Sequence, residues 1–536
     1  RRVDIATIWQ FSGGRDCNVD SKNTELVSMR LSQSLYCTRV FTIAKTDQSK
    51  NAILTGRIYY DTRCLQSVKS LADFTQLNLL MRAGWERFRY TRSLELNSPH
   101  HFEEDLLMSR YRLMCLTLLL MGLAGFSLTA GEVEKKPDPI VSQFSAADWP
   151  WWRGPKRNGI ADSSQSVPLN WSNTDKILWK SPVPGRGHGA PTVVGEQVFL
   201  ATADHDQKVQ SVLCYDRQTG KELWRTEIHH GGFETKGNSK SSLASSTIAC
   251  DGKHLFINFL HSGAIYTTSL TREGKIVWQE KITDYILHQG FGSSPAIYQN
   301  LVIVSADNKG TGVIVGLDRT NGKTVWKQER PKFPNYTSPI ILNVAGRDQL
   351  LFTGCELVTS FEPLTGKKLW EIPGSTTECV TSTVTDGKVI ITSGGYPKNH
   401  MSAVQADGSG TVVWENKTRV YVPSMIVSDG YLYAILDAGV AKCWKCDTGK
   451  EIWEGRLSGT FSASPILVGN RIYATNEAGK TFVLKATPES FEILAENQLG
   501  DEVFATPTIC GGRIYFRVAN QVDGKRQEQL ICVGEK

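Results

Sequence analysis

The chain has 536 residues, 21% of them charged, and a formal net charge of +6. Such a length exceeds one ordinary domain, so several domains or one large repeat architecture must be present. The charge excess is small and both signs are mixed along the chain, which argues against nucleic acid as a partner.

Residues 1–107 show no sustained periodicity of helix or strand type. Arg outnumbers Lys 11 to 4 before residue 108, whereas Lys outnumbers Arg 28 to 17 after it. From Met108 the chain reads as a short basic stretch through Arg112, an apolar run from Leu113 to Leu128, and then Thr129-Ala130 before Gly131. A positive start, an apolar core too short for a confident span and small residues at its end give the layout of a secretory signal peptide over 108–130. An uncleaved anchor is the alternative. Residues 1–107 are accordingly expected to be an over-extended gene start or a disordered leader, and 131–148 a linker. The mature protein is expected in the periplasm or outside the cell, as a monomer without a transmembrane span.

From residue 149 onward the chain repeats itself every 40–56 residues or so, the period of a propeller or array. One landmark is a pair of small residues leading into an apolar strand. It occurs eight times, at Ala190-Pro191, Ser246-Thr247, Ser294-Pro295, Ser338-Pro339, Ser382-Thr383, Ser424-Met425, Ser464-Pro465 and Thr506-Pro507. The other is a turn glycine with Trp four residues on, at Gly220/Trp224, Gly274/Trp278, Gly322/Trp326, Gly366/Trp370, Gly410/Trp414 and Gly449/Trp453. Each unit therefore holds four short strands joined by turns, with Gly supplying the positive φ of a tight connection. The expected fold is all-β, an eight-bladed β-propeller of four-stranded antiparallel blades.

Ring closure is also predicted. The eighth unit has three strands, at 506–510, 513–518 and 529–533, and no outer strand, whereas Lys176-Ile177-Leu178-Trp179-Lys180 reads as an outer strand with no three strands before it. Pairing the two closes the ring through an N-terminal outer strand and removes two exposed edges. Trp179 joins Trp224, Trp278, Trp326, Trp370, Trp414 and Trp453 as structural wedges between blades.

Of the twelve cysteines, Cys443 and Cys446 resemble a metal or redox pair by spacing. On a β-strand, however, residues three apart point to opposite faces, which fits neither a disulfide nor a shared metal. No metal site is predicted.

The repeated Asp-x-x-Thr-Gly-Lys-x-x-Trp turn, clearest at Asp216–Trp224, resembles that of the pyrroloquinoline-quinone-like (PQQ-like) propeller repeat family, within the quinoprotein alcohol dehydrogenase-like superfamily. The resemblance covers residues 149–536, and Trp149-Pro150-Trp151-Trp152-Arg153-Gly154-Pro155 is similar to the lead-in of exported bacterial members. Propellers of the Trp-Asp repeat kind fit worse, because no Trp-Asp dipeptide closes a repeat. The resemblance implies either a binding or assembly scaffold of the cell envelope without a redox cofactor, or a dehydrogenase of alcohols or sugars that uses PQQ and calcium. Its dehydrogenases carry adjacent cysteines beside the cofactor. This chain has no Cys-Cys dipeptide, so the scaffold is the principal reading and no catalytic residue is assigned.

Strand order gathers two sets of loops on one face: those joining second to third strands and those joining one blade to the next. Seven of the eight propeller histidines fall there by this reading. Arg186, His188, His229, His230, Glu234, Asn238, His288, Tyr336 and Glu378 are therefore the candidate ligand-binding residues, for a protein, peptide or glycan on the loop-rich face.

Overall fold

The computed structural model describes residues 144–234 and 237–535, together with three short strands nearer the N-terminus, Val27–Arg30, Val40–Ala44 and Thr55–Ile58. The chain divides into two compact units, residues 1–133 and 134–536. In the first, the three strands pair antiparallel in chain order. No strand was expected there, because runs of four or five residues are too short to set up a readable period. The signal-like segment 108–130 and linker residues 131–143 lie outside the described residues. No helix among the described residues is long and apolar enough to cross a membrane.

The second unit is an eight-bladed β-propeller of four-stranded antiparallel sheets. Blade 1 runs Thr192–Val194, Gln197–Asp204, Val209–Asp216 and Glu222–His230. Blades 2 to 7 follow over residues 249–284, 296–330, 340–373, 384–416, 426–456 and 466–498. Blade 8 has Thr508–Cys510, Arg513–Val522 and Lys525–Gly534, and its outer strand is Ile177–Val183 from before blade 1. Second and third strands are buried on both faces, as in Phe199, Leu200, Leu213 and Cys214, because each blade is covered by a neighbour on either side. Outer strands alternate buried with exposed, so they alone show a clear two-residue period.

Within a blade, the acidic turn is held by its own side chain. Asp216 Oδ1 accepts from the amides of Gln218 and Thr219 and from the Thr219 hydroxyl, at 3.1, 2.8 and 2.7 Å. Gly220 closes the turn at φ 72°, where a side chain would be strained. That glycine has a second duty, since a Cβ on it would lie 2.5 Å from the ring of Trp179 in blade 8. The relation recurs around the ring: Gly274 seats Trp224, Gly322 seats Trp278, Gly366 seats Trp326 and Gly449 seats Trp414. Each of these five tryptophans thus docks on the turn of the next blade. The indole N–H donates to that next blade's backbone in Trp179, Trp224, Trp278, Trp326, Trp414 and Trp453, at 2.7–3.1 Å. Trp370 differs, donating to Gln349 in its own blade at 2.9 Å.

Opposite each tryptophan stands a small residue, followed by a register shift. The pairs are Cys214/Trp224, Ser269/Trp278, Gly316/Trp326, Ser360/Trp370, Ala403/Trp414, Cys443/Trp453 and Cys532/Trp179. The bulge turns the indole toward the neighbouring blade, and the small partner leaves it room. This accounts for three of the cysteines. Cys443 and Cys446 are buried free thiols that pack in separate cores, one with Tyr433 and Ile472, the other with Trp444 and Met401.

A charged clasp reinforces the closure. Arg517 in blade 8 donates from Nε to Glu528 Oε2 at 2.6 Å, and from its two Nη atoms to Ala201 O and Thr202 Oγ1 of blade 1 at 2.5 and 3.0 Å. Both charged side chains are only 2% exposed.

Candidate functional site

Where each blade begins, the chain crosses toward the axis with a small residue. Those residues are Ala190, Thr247, Ser294, Ser338, Ser382, Ser424, Ser464 and Thr506. Six backbone amides donate to the hydroxyl of the next blade. Ala190 N reaches Thr247, Thr247 N reaches Ser294, and Ser294 N reaches Ser338 at 2.9–3.0 Å. Ser382 N reaches Ser424, Ser424 N reaches Ser464, and Ser464 N reaches Thr506 over the same range. Larger side chains would fill the channel, and apolar ones would leave these amides unsatisfied.

One hydroxyl of the ring serves another donor: Ser382 Oγ accepts from Trp152 Nε1 at 2.8 Å. Trp152 belongs to the lead-in, which crosses one end of the channel. Trp149 bridges to Val193 of blade 1, Pro150 O accepts from Cys250 N at 2.8 Å, and Ile160 bridges to Leu467 of blade 7. Arg153 is 1% exposed and donates to the carbonyls of Met425, Asn158 and Pro465. Arg157 donates to Ile297 O at 2.5 Å and lies 4.4 Å over the Trp151 ring. The segment is a plug, and Trp152 is the floor it provides.

Above that floor, on the loop-rich face, opens a funnel of about 470 Å³ lined by residues from all eight blades. Its walls are aromatic, with Phe291, Tyr336, Tyr396, Tyr421 and Phe504 around the indole. Polar groups converge among them. Glu378, 3% exposed, accepts from the Tyr421 hydroxyl at 3.2 Å, and His288 Nε2 lies 3.6 Å from its other oxygen. Burial beside the Glu378 carboxylate raises the phenols of Tyr336 and Tyr421, so both stay protonated donors. Asn238 donates to Gln289 at 3.1 Å, and Lys240 is held by Glu477 at 2.7 Å.

Of the candidates read from sequence, His188, Asn238, Tyr336 and Glu378 line the funnel, and His288 stands behind Glu378. The His188 ring stacks on Phe504 at 4.7 Å, and burial with Arg186 nearby holds its imidazole well below the usual value. Arg186 and Glu234 line side recesses of the rim rather than the funnel. His229 and His230 are elsewhere, because the outer strand of blade 1 runs on to residue 230 where a loop was expected. His229 is buried, hydrogen-bonded to Gln210 at 3.0 Å and stacked 4.3 Å from His261. His230 faces solvent beside Glu227. Trp152, Gln289, Phe291, Tyr421 and Phe504 were not singled out, although the last four approach their first strands just as Tyr336 and Glu378 do.

A family model described as outer membrane protein assembly factor BamB matches residues 208–436 and again 397–488, together more than half of the chain. The chain belongs to this family of PQQ-like propellers. Tetrathionate hydrolase of Acidithiobacillus ferrooxidans is 22% identical over 57% of this chain and 66% of its own, so the chain spans just under two thirds of that relative. Outer membrane protein assembly factor BamB of Bordetella pertussis is 21% identical over 62% of this chain and 81% of its own. Among solved structures, quinohemoprotein alcohol dehydrogenase from Comamonas testosteroni superposes with a TM-score of 0.55 at 14% identity, covering 74% of this chain and 82% of that one. That likeness is one of fold.

The superfamily's dehydrogenases imply a quinone with calcium. The donor set of this funnel does not fit the pair. Calcium is held by several oxygen ligands with carboxylates foremost, whereas Glu378 is the one carboxylate among the described lining residues, and no three described His, Cys, Asp or Glu side chains stand together.

Proposed function

We propose that this protein is a binding or assembly scaffold of the cell envelope, in the periplasm or outside the cell, that engages a protein, peptide or glycan partner through the loop-rich face. The observation that carries the reading is the blind funnel, built by all eight blades and floored by the lead-in's Trp152. A recess of this size with aromatic walls and a few convergent polar groups is the shape of a ligand site. Its donor set supports binding over quinone-dependent oxidation. The match to BamB, a protein named for assembly, points the same way.

A photo-crosslinker placed at Tyr396, 55% exposed on the funnel rim, is compared with one at Val325, 52% exposed on an outer strand. Capture of the same envelope partner at the rim and not at the outer strand is expected. In parallel the purified protein is incubated with PQQ and calcium. Robust dye-linked oxidation of an alcohol or sugar overturns the scaffold reading in favour of the dehydrogenase.

A further inference from the structure

The funnel contains a buried acidic side chain with no permanently cationic partner among the described residues. The Glu378 side chain is 4% exposed, and among the described residues the groups that reach it are the Tyr421 hydroxyl and the His288 ring. The first is neutral, and the second is cationic only when protonated. Lys240, the lysine among the described funnel residues, is already paired with Glu477 at 2.7 and 3.0 Å. A carboxylate withdrawn from water without a cation is costly, so a partner for it is to be sought in the ligand. The surroundings agree, because the negative faces of aromatic rings attract cations and here line the same recess. Tyr336 and Tyr396 join Glu378 in lining it, whereas the Tyr421 ring already carries the Arg419 guanidinium at 5.1 Å.

We infer that the funnel recognises an organic ammonium group, carried by a free amine or by a lysine or N-terminus of a peptide, with Glu378 as its anion and the Tyr336 and Tyr396 rings as its cage. The ligand's apolar part packs on Phe291 and Trp152. This inference rests on the reading of the funnel as a ligand site and specifies its chemistry.

Calorimetry on the full-length protein at pH 7.5 tests it with isosteres that differ in charge. 2-Phenylethylamine is set against 2-phenylethanol, and N-acetyl-Phe-Lys-amide against N-acetyl-Phe-norleucine-amide. At least one ammonium compound is expected to bind ten-fold or more tightly than its neutral partner, and the arm that responds separates a free amine from a peptide source. Glu378→Gln, which keeps the shape, is expected to erase the preference with an unchanged melting temperature. Equal binding of charged and neutral isosteres overturns the inference while leaving the funnel a ligand site. Binding by none of the four also overturns it. Because the preference is measured first in the unaltered protein, the test stands even if Glu378→Gln unfolds.

Discussion

Ring closure rests on a strand and a buried charge, and the charge can be tested alone. In Arg517→Met, Glu528 stays 2% exposed and loses its 2.6 Å partner, while blade 1 loses the donors to Ala201 O and Thr202 Oγ1. Breaking a buried ion pair by removing one partner costs about 3–5 kcal/mol. The lower end applies here, because Arg526 remains beside Glu528 at 2.9 Å. An unfolding entropy of roughly 2 cal/mol/K per residue over a ring of roughly 390 residues turns 3 kcal/mol into a drop of about 4 °C. Adding Glu528→Gln removes the stranded charge, and Arg526 keeps Glu502. The double variant is expected to recover most of the loss, leaving about 1 kcal/mol. Thermal melting and denaturant titration of the parent, both single variants and the double complete the cycle. A double variant that melts below Arg517→Met, or an Arg517→Met indistinguishable from the parent, refutes the clasp.

The docking of Trp326 on Gly366 gives a second cycle. Trp326→Ala is expected to cost about 3–5 kcal/mol. Gly366→Ala, at φ 65° with its Cβ 2.4 Å from that ring, should cost about 2 kcal/mol alone and about 1 in the Trp326→Ala background; equal costs in both backgrounds sink the pairing. Burial holds His229 down to about 4 against an ordinary 6.5, so protonation favours the unfolded chain. Stability should therefore fall as pH drops from 6.5 toward 4, by up to about 3 kcal/mol. His229→Gln should flatten that part of the pH profile in denaturant titrations, and an unchanged profile rejects the assignment. A chain beginning at Gly185 lacks Ile177–Val183 and bares the edge of Lys525–Gly534. It is expected to aggregate on size exclusion and to melt early, and a monodisperse, equally stable product contradicts this closure.

The propeller was readable because its repeats advertise themselves twice, in the small residues at each first strand and in the glycine–tryptophan spacing. What the spacing conceals is that the glycine and tryptophan of one motif serve different neighbours, since Gly366 receives Trp326 from the blade before and Trp370 belongs to its own sheet. Local sequence carries no mark of which blade a side chain meets. The funnel was half legible for a related reason. Strand order assigns loops to a face, which located Tyr336 and Glu378. It does not say where a strand stops, and two further residues of pairing carried His229 and His230 outward along blade 1.

The plug shows where reading by period fails. Residues 148–160 carry no repeat, so nothing in their spacing assigns them a role, although three tryptophans within four residues, Trp149, Trp151 and Trp152, are costly to leave in water. A ring of blades leaves a channel open at both ends, and a channel open at both ends retains no small ligand. By donating to Ser382 and filling the axis, Trp152 turns that channel into a blind recess. The hydroxyl ring makes this possible, because seven of its eight positions are Ser or Thr and any of those hydroxyls can accept a donor from the axis. On the proposed reading, ligand binding on the loop-rich face thus depends on packing of the lead-in at the opposite end of the channel. Trp152→Ala is expected to weaken ligand capture at the funnel while the melting temperature shifts little, since the indole is only partly buried and the contacts of Trp149 with Val193, Arg153 with Pro465 and Arg157 with Ile297 still hold the lead-in in place. Capture at the Tyr396 crosslinker that is undiminished in Trp152→Ala would mean that the partner reads the rim alone and that the floor is irrelevant to it.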